Sequence, residues 1–297
     1  MNGRALVVGA SGQVGNQIAL RLGDSALWSG RSPQSGVTYK GDWVQADLID
    51  FAHNPTLARK LLDSHDITSV YCVAGATDVE RCESQPQWAM DCNCRGPLAL
   101  AQAASNIPFV YFSTEYVFDG VDGPYDEESP TSPISAYGRS KLCGEQEILR
   151  AHASPLIVRT TVVFGPDPAQ KNFLYTLRRL VGSGKTMRVP SDQISTPTYN
   201  RDLATATLSL VNSGQTGIFN VCGPELLSRY DFALMAAKRL ALDTSLIYSV
   251  PTSELNQRAP RPLAAGLNIA KLKSRLPGIS MMSNEDAIGD WIEREVF

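Results

Sequence analysis

The first fifteen residues constrain the fold more than any other part of the chain. An apolar run, Ala5–Ala10, leads directly into glycines at positions 9, 12 and 15, spaced as G-x-x-G-x-x-G. Such a turn uses glycine where φ is unusual and where the backbone approaches a pyrophosphate, and the next helix N-terminus stabilises the anion. An ordinary glycine turn is the alternative. We predict a dinucleotide-binding turn whose contact residues are Gly9, Ser11, Gly12, Gln13, Val14 and Gly15.

Short apolar runs alternate with helical patterns through the first half of the chain. The predicted strands are Ala5–Ala10, Ser25–Ser29, Val44–Leu48, Ser69–Ala74, Phe109–Ser113 and Leu156–Phe164. The predicted helices between them are Gln13–Leu22, Pro55–Ser64 and Trp88–Ser105. Several strands are apolar almost throughout, as expected of strands buried on both faces. The alternation predicts an α/β fold built on a doubly wound parallel Rossmann sheet.

The pattern loosens beyond Gly165, where predicted helices and short strands interleave with proline-rich joints at Pro251 and Ala259–Pro262. This part is too short and too interleaved to read as an independent unit. We therefore expect a smaller C-terminal α/β substrate-binding cap. The predicted division is an NADP-binding Rossmann domain at residues 1–165, to which some later segments return, and a region at 166–297 that is mainly cap.

A tyrosine and a lysine four residues apart, Tyr137 and Lys141, follow the fifth predicted strand. On a helix both side chains lie on one face, where the ammonium is expected to lower the pKa of the phenol. The phenol could then exchange a proton with a carbonyl substrate. The preceding strand ends in two hydroxyls, of which Thr114 is the predicted partner of the carbonyl oxygen and Ser113 the alternative. With the glycine turn, these residues predict a nicotinamide-dependent carbonyl reductase whose catalytic residues are Thr114, Tyr137 and Lys141.

The second predicted strand is followed by Arg31, where an NAD-specific protein would carry an acidic residue. A guanidinium can pair with a 2′-phosphate, so we predict NADPH as the cofactor, with NADH less favoured and a plain surface arginine as the alternative. Asp47 and Leu48, which end the third strand, are predicted to contact the adenine. The remaining expected cofactor contacts are Ala74, Gly75, Ala76 and Asn93, besides Tyr137 and Lys141.

Composition excludes several classes of protein. The net charge of -3 gives no reason to expect nucleic acid or an anionic membrane surface as a partner. No apolar run is long enough to span a membrane, and no signal-peptide pattern is present, so we expect a cytoplasmic protein. The six cysteines lack zinc-like spacing, which predicts reduced thiols and no metal site.

The sequence resembles the extended short-chain dehydrogenase/reductase family along nearly its whole length. Within that family it is most similar to the dTDP-4-dehydrorhamnose reductase branch, which also contains the methionine adenosyltransferase regulatory β-subunit. The segments that carry the resemblance are Gly9–Gly15, Ala76–Pro86, Ser113–Gly120, Ser132–Glu145, Asp192–Leu203, Arg261–Pro262 and Lys271–Leu272.

The resemblance implies a hydroxyl role for Thr114, proton donation by Tyr137, and binding of the nicotinamide ribose by Lys141. It also implies a substrate side formed by Thr114, Glu115, Tyr116, Asn172, Phe173 and Arg261. Two positions depart from the family pattern. Val162 replaces a tryptophan that could stack on a nucleotide base, and Glu115 replaces the more common aspartate.

Three functional hypotheses follow. The first is an NADPH-dependent reductase of a ketone, the 4-keto group of a dTDP-4-dehydro-6-deoxyhexose. The second is a cofactor-binding regulatory subunit similar to the adenosyltransferase β-subunit. The third is a reductase of a natural-product carbonyl that carries no nucleotide. The expected partner is a small-molecule carbonyl substrate, with a homodimer as a further option.

Overall fold

A computed structural model describes residues 3–33 and 40–295. Thirteen strands are described: β1 Arg4–Val8, β2 Ala26–Gly30, β3 Trp43–Gln45, β4 Ile67–Cys72, β5 Phe109–Thr114, β6 Leu156–Thr160, β7 Val163–Phe164, β8 Met187–Pro190, β9 Ile194–Ser195, β10 Thr198–Tyr199, β11 Gly217–Asn220, β12 Leu227–Ser228 and β13 Ile247–Val250. Twelve α-helices are described: α1 Gln13–Leu22, α2 Leu48–His53, α3 Thr56–Asp63, α4 Val79–Ser84, α5 Pro86–Met90, α6 Gly96–Ala103, α7 Ala136–Ala151, α8 Phe173–Val181, α9 Asn200–Asn212, α10 Arg229–Arg239, α11 Ala270–Arg275 and α12 Asn284–Arg294.

The central sheet has seven strands in the order β11-β6-β5-β4-β1-β2-β3, and all of its neighbouring strands are parallel. Alternate residues of β1 belong to different hydrophobic cores. Ala5 and Val7 face one, and Leu6 and Val8 face the other. Successive side chains of a strand point to opposite faces, so a strand covered by helices on both sides must be apolar throughout. The predicted doubly wound α/β fold is confirmed.

Later parts of the chain return to this sheet. Strand β11 pairs with β6, and helix α9 packs against α1. The remaining elements after β7 enclose a third apolar core, which includes Phe164, Leu174, Phe232 and Trp291. This core supports the wall of a cleft at the carboxyl edge of the central sheet.

The helix predicted at Trp88–Ser105 is interrupted. Helix α5 passes through a π-helical turn, Asp91–Arg95, into α6. Pro97 has no N–H to donate to the carbonyl of Asn93, four residues earlier, and that carbonyl instead accepts from the hydroxyl of Tyr111 at 2.5 Å. The strand predicted at Val44–Leu48 ends at Gln45, because Asp47 caps helix α2.

Two of the six cysteines are not free. Cys94 in the π-helical turn and Cys143 in α7 form a disulfide, with their Cα atoms 5.6 Å apart. Cys72, Cys82, Cys92 and Cys222 are free and buried. The prediction of reduced thiols is therefore wrong for one pair, whose members are 49 residues apart and meet only through helix packing. Within residues 3–33 and 40–295, no helix has the length and apolar character needed to cross a membrane.

Helix α7 is attached to the sheet by a buried ion pair. The guanidinium of Arg159 on β6 donates two hydrogen bonds to the carboxylate of Glu145, at 2.9 and 2.7 Å. Both residues are almost completely buried. We predict that Glu145→Gln lowers the free energy of unfolding by about 3–5 kcal/mol, because Arg159 then keeps an uncompensated buried charge.

The matched control is Glu147→Gln on the same helix, whose carboxylate pairs with Arg150 at the surface. That change should alter the free energy of unfolding by no more than about 1 kcal/mol. Urea unfolding of both variants and the unsubstituted protein measures the difference. Equal effects of the two substitutions would contradict the structural role of the buried pair.

Candidate active site

The turn after β1 forms the floor of the cleft. Gly9 has a φ of +93°, and a Cβ there would lie 2.6 Å from the backbone nitrogen of Ala74. A Cβ on Gly15 would collide with the carbonyl oxygen of Gly9. Gly12 precedes α1, and no side chain caps this helix. The free N–H groups of the first turn are therefore available to an anion, as the glycine spacing predicts.

A single cleft of about 850 Å³ brings most of the predicted residues together. Those of the predicted cofactor contacts that line it are Gly9, Ser11, Gly12, Gln13, Val14, Arg31, Asp47, Leu48, Ala74, Gly75, Ala76, Tyr137 and Lys141. Gly15 and Asn93 are not among its lining residues. Gly15 lies beneath the turn, where it allows close packing against Gly9. Asp47 also accepts a hydrogen bond from the backbone of Ile49 at 2.9 Å, which starts α2.

Asn93 does not line the cleft, but it holds in place the backbone of Ala76, which does. Its side-chain oxygen accepts from the backbone N–H of Ala76 at 2.8 Å, and its amide nitrogen donates to the carbonyl of Ala76 at 3.0 Å. The same nitrogen donates to the hydroxyl of Ser140 at 2.9 Å. One fully buried amide thus joins the loop after β4 to helix α7. It holds backbone in place and does not border the cleft.

The three predicted catalytic side chains line the same cleft. Thr114 ends β5, and Tyr137 and Lys141 lie one turn apart in α7, which Ser135 caps. The Thr114 hydroxyl is close enough to the Tyr137 phenol to lower its pKa slightly. The ammonium of Lys141 lies 4.2 Å from the ring centroid of Tyr111. The trio can therefore surround one carbonyl group.

Burial is the largest influence on the pKa values of Tyr137 and Lys141. It raises the pKa of the Tyr137 phenol well above its usual range, and the influence of the Thr114 hydroxyl only partly offsets that effect. The net shift is opposite to the lowering expected from Lys141. Burial also lowers the pKa of Lys141 to about 8. At neutral pH the phenol keeps its proton and the lysine is mostly charged.

Two hydroxyls in the cleft have no hydrogen-bond partner among the described residues. They are Ser113 Oγ at the end of β5 and Thr160 Oγ1 at the end of β6, and both are buried. A buried hydroxyl without a partner costs free energy. A polar group bound in the cleft would remove that cost, so the site fits a cofactor rich in amide and hydroxyl groups.

The predicted substrate side is only partly in the cleft. Thr114, Glu115 and Tyr116 line it, whereas Asn172, Phe173 and Arg261 do not. Asn172 caps α8 and donates to the carbonyl of Gly165 at 2.9 Å.

Phe173 and Arg261 contact residues of the cleft region but do not line the cleft themselves. Phe173 packs against the ring of Phe232, with centroids 6.1 Å apart. Arg261 pairs with Glu80 at 2.7 Å and contacts Tyr116. Both side chains support the wall without lining the cleft.

Sequence reasoning missed Arg229. It is the first residue of α10, and its side chain lines the cleft beside Glu115 and Tyr116. The only local signal was Ser228, a helix-capping residue that accepts from the backbone of Asp231 at 3.0 Å. That signal locates the start of a helix and says nothing of the cleft, because Arg229 is distant from the catalytic residues in sequence.

Glu115 is a buried carboxyl group whose protonation state depends on the fold. It accepts a hydrogen bond from Ser195 at 2.8 Å, yet burial raises its pKa from 4.5 to about 7. The folded protein therefore holds this proton more tightly than the unfolded chain. This group's contribution to the free energy of unfolding should fall as the pH rises from about 4.5 to about 7.

We predict that Glu115→Gln gains stability relative to the unsubstituted protein as the pH rises from 5 to 8, by up to about 3 kcal/mol. The glutamine keeps the shape of the side chain and cannot ionise. Urea unfolding of both proteins across this pH range, under identical salt conditions, provides the measurement. Parallel pH profiles would show that Glu115 titrates normally.

Comparison with known proteins places this geometry in a family. The family model described as the RmlD substrate binding domain matches residues 3–296. The probable low-salt glycan biosynthesis reductase Agl14 of Haloferax volcanii is 32% identical over 291 residues, which cover 95% of each chain. The dTDP-4-dehydrorhamnose reductase of Mycolicibacterium smegmatis is 32% identical over 265 residues, or 87% of this chain and 76% of the relative.

Solved structures agree with the sequence comparison. A dTDP-4-dehydrorhamnose reductase from Clostridium acetobutylicum superposes with a TM-score of 0.84 at 28% identity, covering 98% of both chains. One from Bacillus anthracis, solved in complex with NADP, has a TM-score of 0.83 at 28% identity and 99% coverage of both. The predicted family, fold and enzyme class are thereby confirmed: the chain belongs to the RmlD substrate binding domain family of extended short-chain dehydrogenases/reductases.

Proposed function

We propose that this protein is an NADPH-dependent reductase of a sugar-nucleotide ketone, the 4-keto group of a dTDP-4-dehydro-6-deoxyhexose. The observation that carries the proposal is the convergence of Thr114, Tyr137 and Lys141 on one cleft whose floor is the glycine turn. Strongly perturbed ionisable groups gathered in one cleft are a common sign of a functional site.

The cleft has the features that a dinucleotide needs. The turn at Gly9 and Gly12 would hold the pyrophosphate at the N-terminus of α1. Arg31 lines the end of the cleft where the adenosine ribose would lie, and Asp47 and Leu48 border the same region. At the other end, the unsatisfied hydroxyls of Ser113 and Thr160 would receive the polar groups of the nicotinamide end. When bound, the reduced cofactor would supply the hydride.

In this proposal Tyr137, Thr114 and Lys141 provide the proton and stabilise the negative oxygen of the substrate. Tyr137 is a neutral phenol at pH 7, because burial raises its pKa, so it is ready to donate to the oxygen that becomes negative. Thr114 adds a hydroxyl at the same oxygen. Lys141, still mostly protonated with a pKa of about 8, supplies positive charge near the site. These roles favour reduction of a ketone over a purely structural use of the trio.

The relatives support the substrate class. Those described above are named as reductases, and the Clostridium, Bacillus and Mycolicibacterium proteins are named for dTDP-4-dehydrorhamnose. We therefore prefer an enzyme to a regulatory subunit. An NADPH-oxidation screen of dTDP-4-dehydro-6-deoxyhexoses beside nucleotide-free ketones tests the proposal. Turnover of nucleotide-free ketones alone would contradict it.

We predict that Tyr137→Phe lowers turnover by at least about a hundredfold, because a positioned acid contributes typically 10²–10⁴-fold. The substitution removes one oxygen and should leave the fold and the affinity for NADPH almost unchanged. Tyr248→Phe, at an exposed position on β13, is the control for loss of a phenolic hydroxyl. Stopped-flow or steady-state NADPH oxidation gives the rates. Near-normal turnover in a folded Tyr137→Phe protein would assign proton donation to another group.

We predict that Arg31→Ala weakens NADPH binding about ten- to a hundredfold and leaves NADH binding unchanged. The reason is that one charge-assisted contact to a 2′-phosphate is lost, at a cost of about 1.5–3 kcal/mol. Fluorescence titration of both reduced cofactors against both proteins measures this. Equal affinities of the unsubstituted protein for NADPH and NADH would exclude a role for Arg31 in cofactor choice.

A further inference from the structure

The Cys94–Cys143 disulfide lies where helix α7 meets the π-helical turn. Cys94 directly follows Asn93 in the turn, and Cys143 lies two residues after Lys141 and directly before Gly144 in α7. The two cysteines are 49 residues apart in the chain, and their Cα atoms are 5.6 Å apart. The bridge is therefore a covalent link between the turn and the helix that carries Lys141.

A set of contacts beside the bridge determines where Lys141 lies. Its ammonium is 4.2 Å from the ring centroid of Tyr111, whose hydroxyl donates to the carbonyl oxygen of Asn93 at 2.5 Å. A Cβ on Gly144 would collide with that same oxygen. The disulfide joins the residues next to Asn93 and Gly144 in the chain. It therefore fastens the turn to α7 at this close approach.

Hydrogen bonds hold the same two elements together, but hydrogen bonds break and re-form as a helix moves. The Asn93 side chain donates to the hydroxyl of Ser140 at 2.9 Å and bonds in both directions with the backbone of Ala76. The covalent bond between Cys94 and Cys143 does not break in this way, so it limits how far the turn and α7 can separate. Loss of the bridge would leave α7 held by noncovalent contacts.

The bridge is open to attack from one side. Cys94 is buried, whereas Cys143 is partly exposed. Disulfides are reduced by thiolates, and the rate depends on access to a sulfur atom. A small thiolate in solution would therefore reach the sulfur of Cys143 first.

The other cysteines do not compete for this exchange. They are free and buried, and burial raises the pKa of each thiol to about 11 or 12, for Cys72, Cys82, Cys92 and Cys222. Only the thiolate attacks a disulfide, and these thiols keep their protons at neutral pH. A response of the protein to a thiol reductant would thus come from one bridge.

We infer that the Cys94–Cys143 disulfide is a redox-sensitive clamp, which positions α7 against the π-helical turn and whose reduction by a dithiol loosens the helix and slows turnover. A thiolate of the dithiol attacks Sγ of Cys143, and Sγ of Cys94 leaves as a thiolate that takes up a proton. The second thiol of the reductant then attacks the mixed disulfide and releases Cys143. The protein gains two electrons and two protons, and the dithiol becomes a disulfide. The inference rests on the proposed function only for the assay of turnover.

The first measurement counts thiols in protein equilibrated in air without reductant. We expect iodoacetamide to alkylate four cysteines after denaturation, and six when dithiothreitol is added first. Mass spectrometry should identify Cys94 and Cys143 as the additional two. Alkylation of all six cysteines without reductant would overturn the inference.

Hydrogen exchange then reports on α7 without any substrate. After reduction, peptides covering Ala136–Ala151 should exchange at least about tenfold faster, because a disulfide contributes to the stability of the elements that it joins. Peptides covering Asn284–Arg294, in α12, should exchange equally in both states. Unchanged exchange in α7 would overturn the inference, and so would an equal increase in α12, since the bridge would then stabilise the protein as a whole.

Turnover is measured with NADPH and the ketone that the protein reduces fastest. Since a misplacement of about 1 Å can cost about a hundredfold in rate, we expect reduction to lower kcat at least about threefold. Reoxidation should restore kcat, and the affinity for NADPH should stay within about twofold throughout. Cys143→Ser should show the lower kcat with and without dithiothreitol. Cys222→Ser, which removes a buried free thiol, should respond to dithiothreitol like the unsubstituted protein.

The outcomes separate this inference from the proposed function. If only nucleotide-free ketones are reduced, and reduction of the bridge slows that reaction, the proposed function fails and the inference stands. If a dTDP-4-dehydro-6-deoxyhexose is reduced with the same kcat in both redox states, the inference fails and the proposed function stands. A further loss of kcat in Cys143→Ser on addition of dithiothreitol would also overturn the inference.

Discussion

The site depends on one constraint, the parallel register of the central sheet. Parallel strands end at the same edge, so residues that are far apart in sequence arrive side by side. The register pairs Thr114 on β5 with Thr160 on β6, and Val8 on β1 with Cys72 on β4. The glycine turn, the loop after β4 and the Thr114 hydroxyl therefore share one edge. Reversing any one of these strands would carry its functional residue to the opposite side of the protein.

The position of helix α7 along that edge also matters, because the roles proposed for its tyrosine and lysine require short distances to the substrate. Two buried contacts hold the helix in place. The Glu145–Arg159 pair joins the helix to β6, and Asn93 joins Ser140 to the backbone of Ala76. Gly144 permits the close approach, since a Cβ there would collide with the carbonyl of Asn93. Both contacts lie outside the cleft, and the precision of the site depends on these supporting groups.

Desolvation shifts the pKa values of the ionisable groups in the cleft. It keeps the proton on Tyr137 and brings the pKa of Lys141 to about 8 and that of Glu115 to about 7. Burying so many ionisable groups opposes folding, and the apolar cores on both faces of the sheet offset that cost. Perturbed ionisable groups concentrated in one cleft are a common sign of a functional site. Here Tyr137, Lys141 and Glu115 all line the same cleft.

The sequence by itself determined the parts that depend on local pattern. Continuous apolar runs indicated strands buried on both faces, the glycine spacing indicated the turn, and the four-residue separation of Tyr137 and Lys141 placed them on one helical face. These features follow from backbone geometry over a few residues, so no tertiary information was needed. The family resemblance rested on the same local segments.

Only the tertiary structure decided which residues meet across long separations in sequence. The pKa of Tyr137 is raised because the phenol is buried. The spacing of residues in the sequence does not show how deeply a side chain is buried. Asn93 and Arg261 do not line the cleft, because their side chains bond to Ala76 and Glu80 instead, and Cys94 met Cys143 through helix packing. Arg229 entered the site because α10 begins beside the end of β5 in space, although 114 residues separate Arg229 from Glu115 in the chain. Such contacts depend on how whole helices and strands pack, so they cannot be predicted from a local sequence pattern.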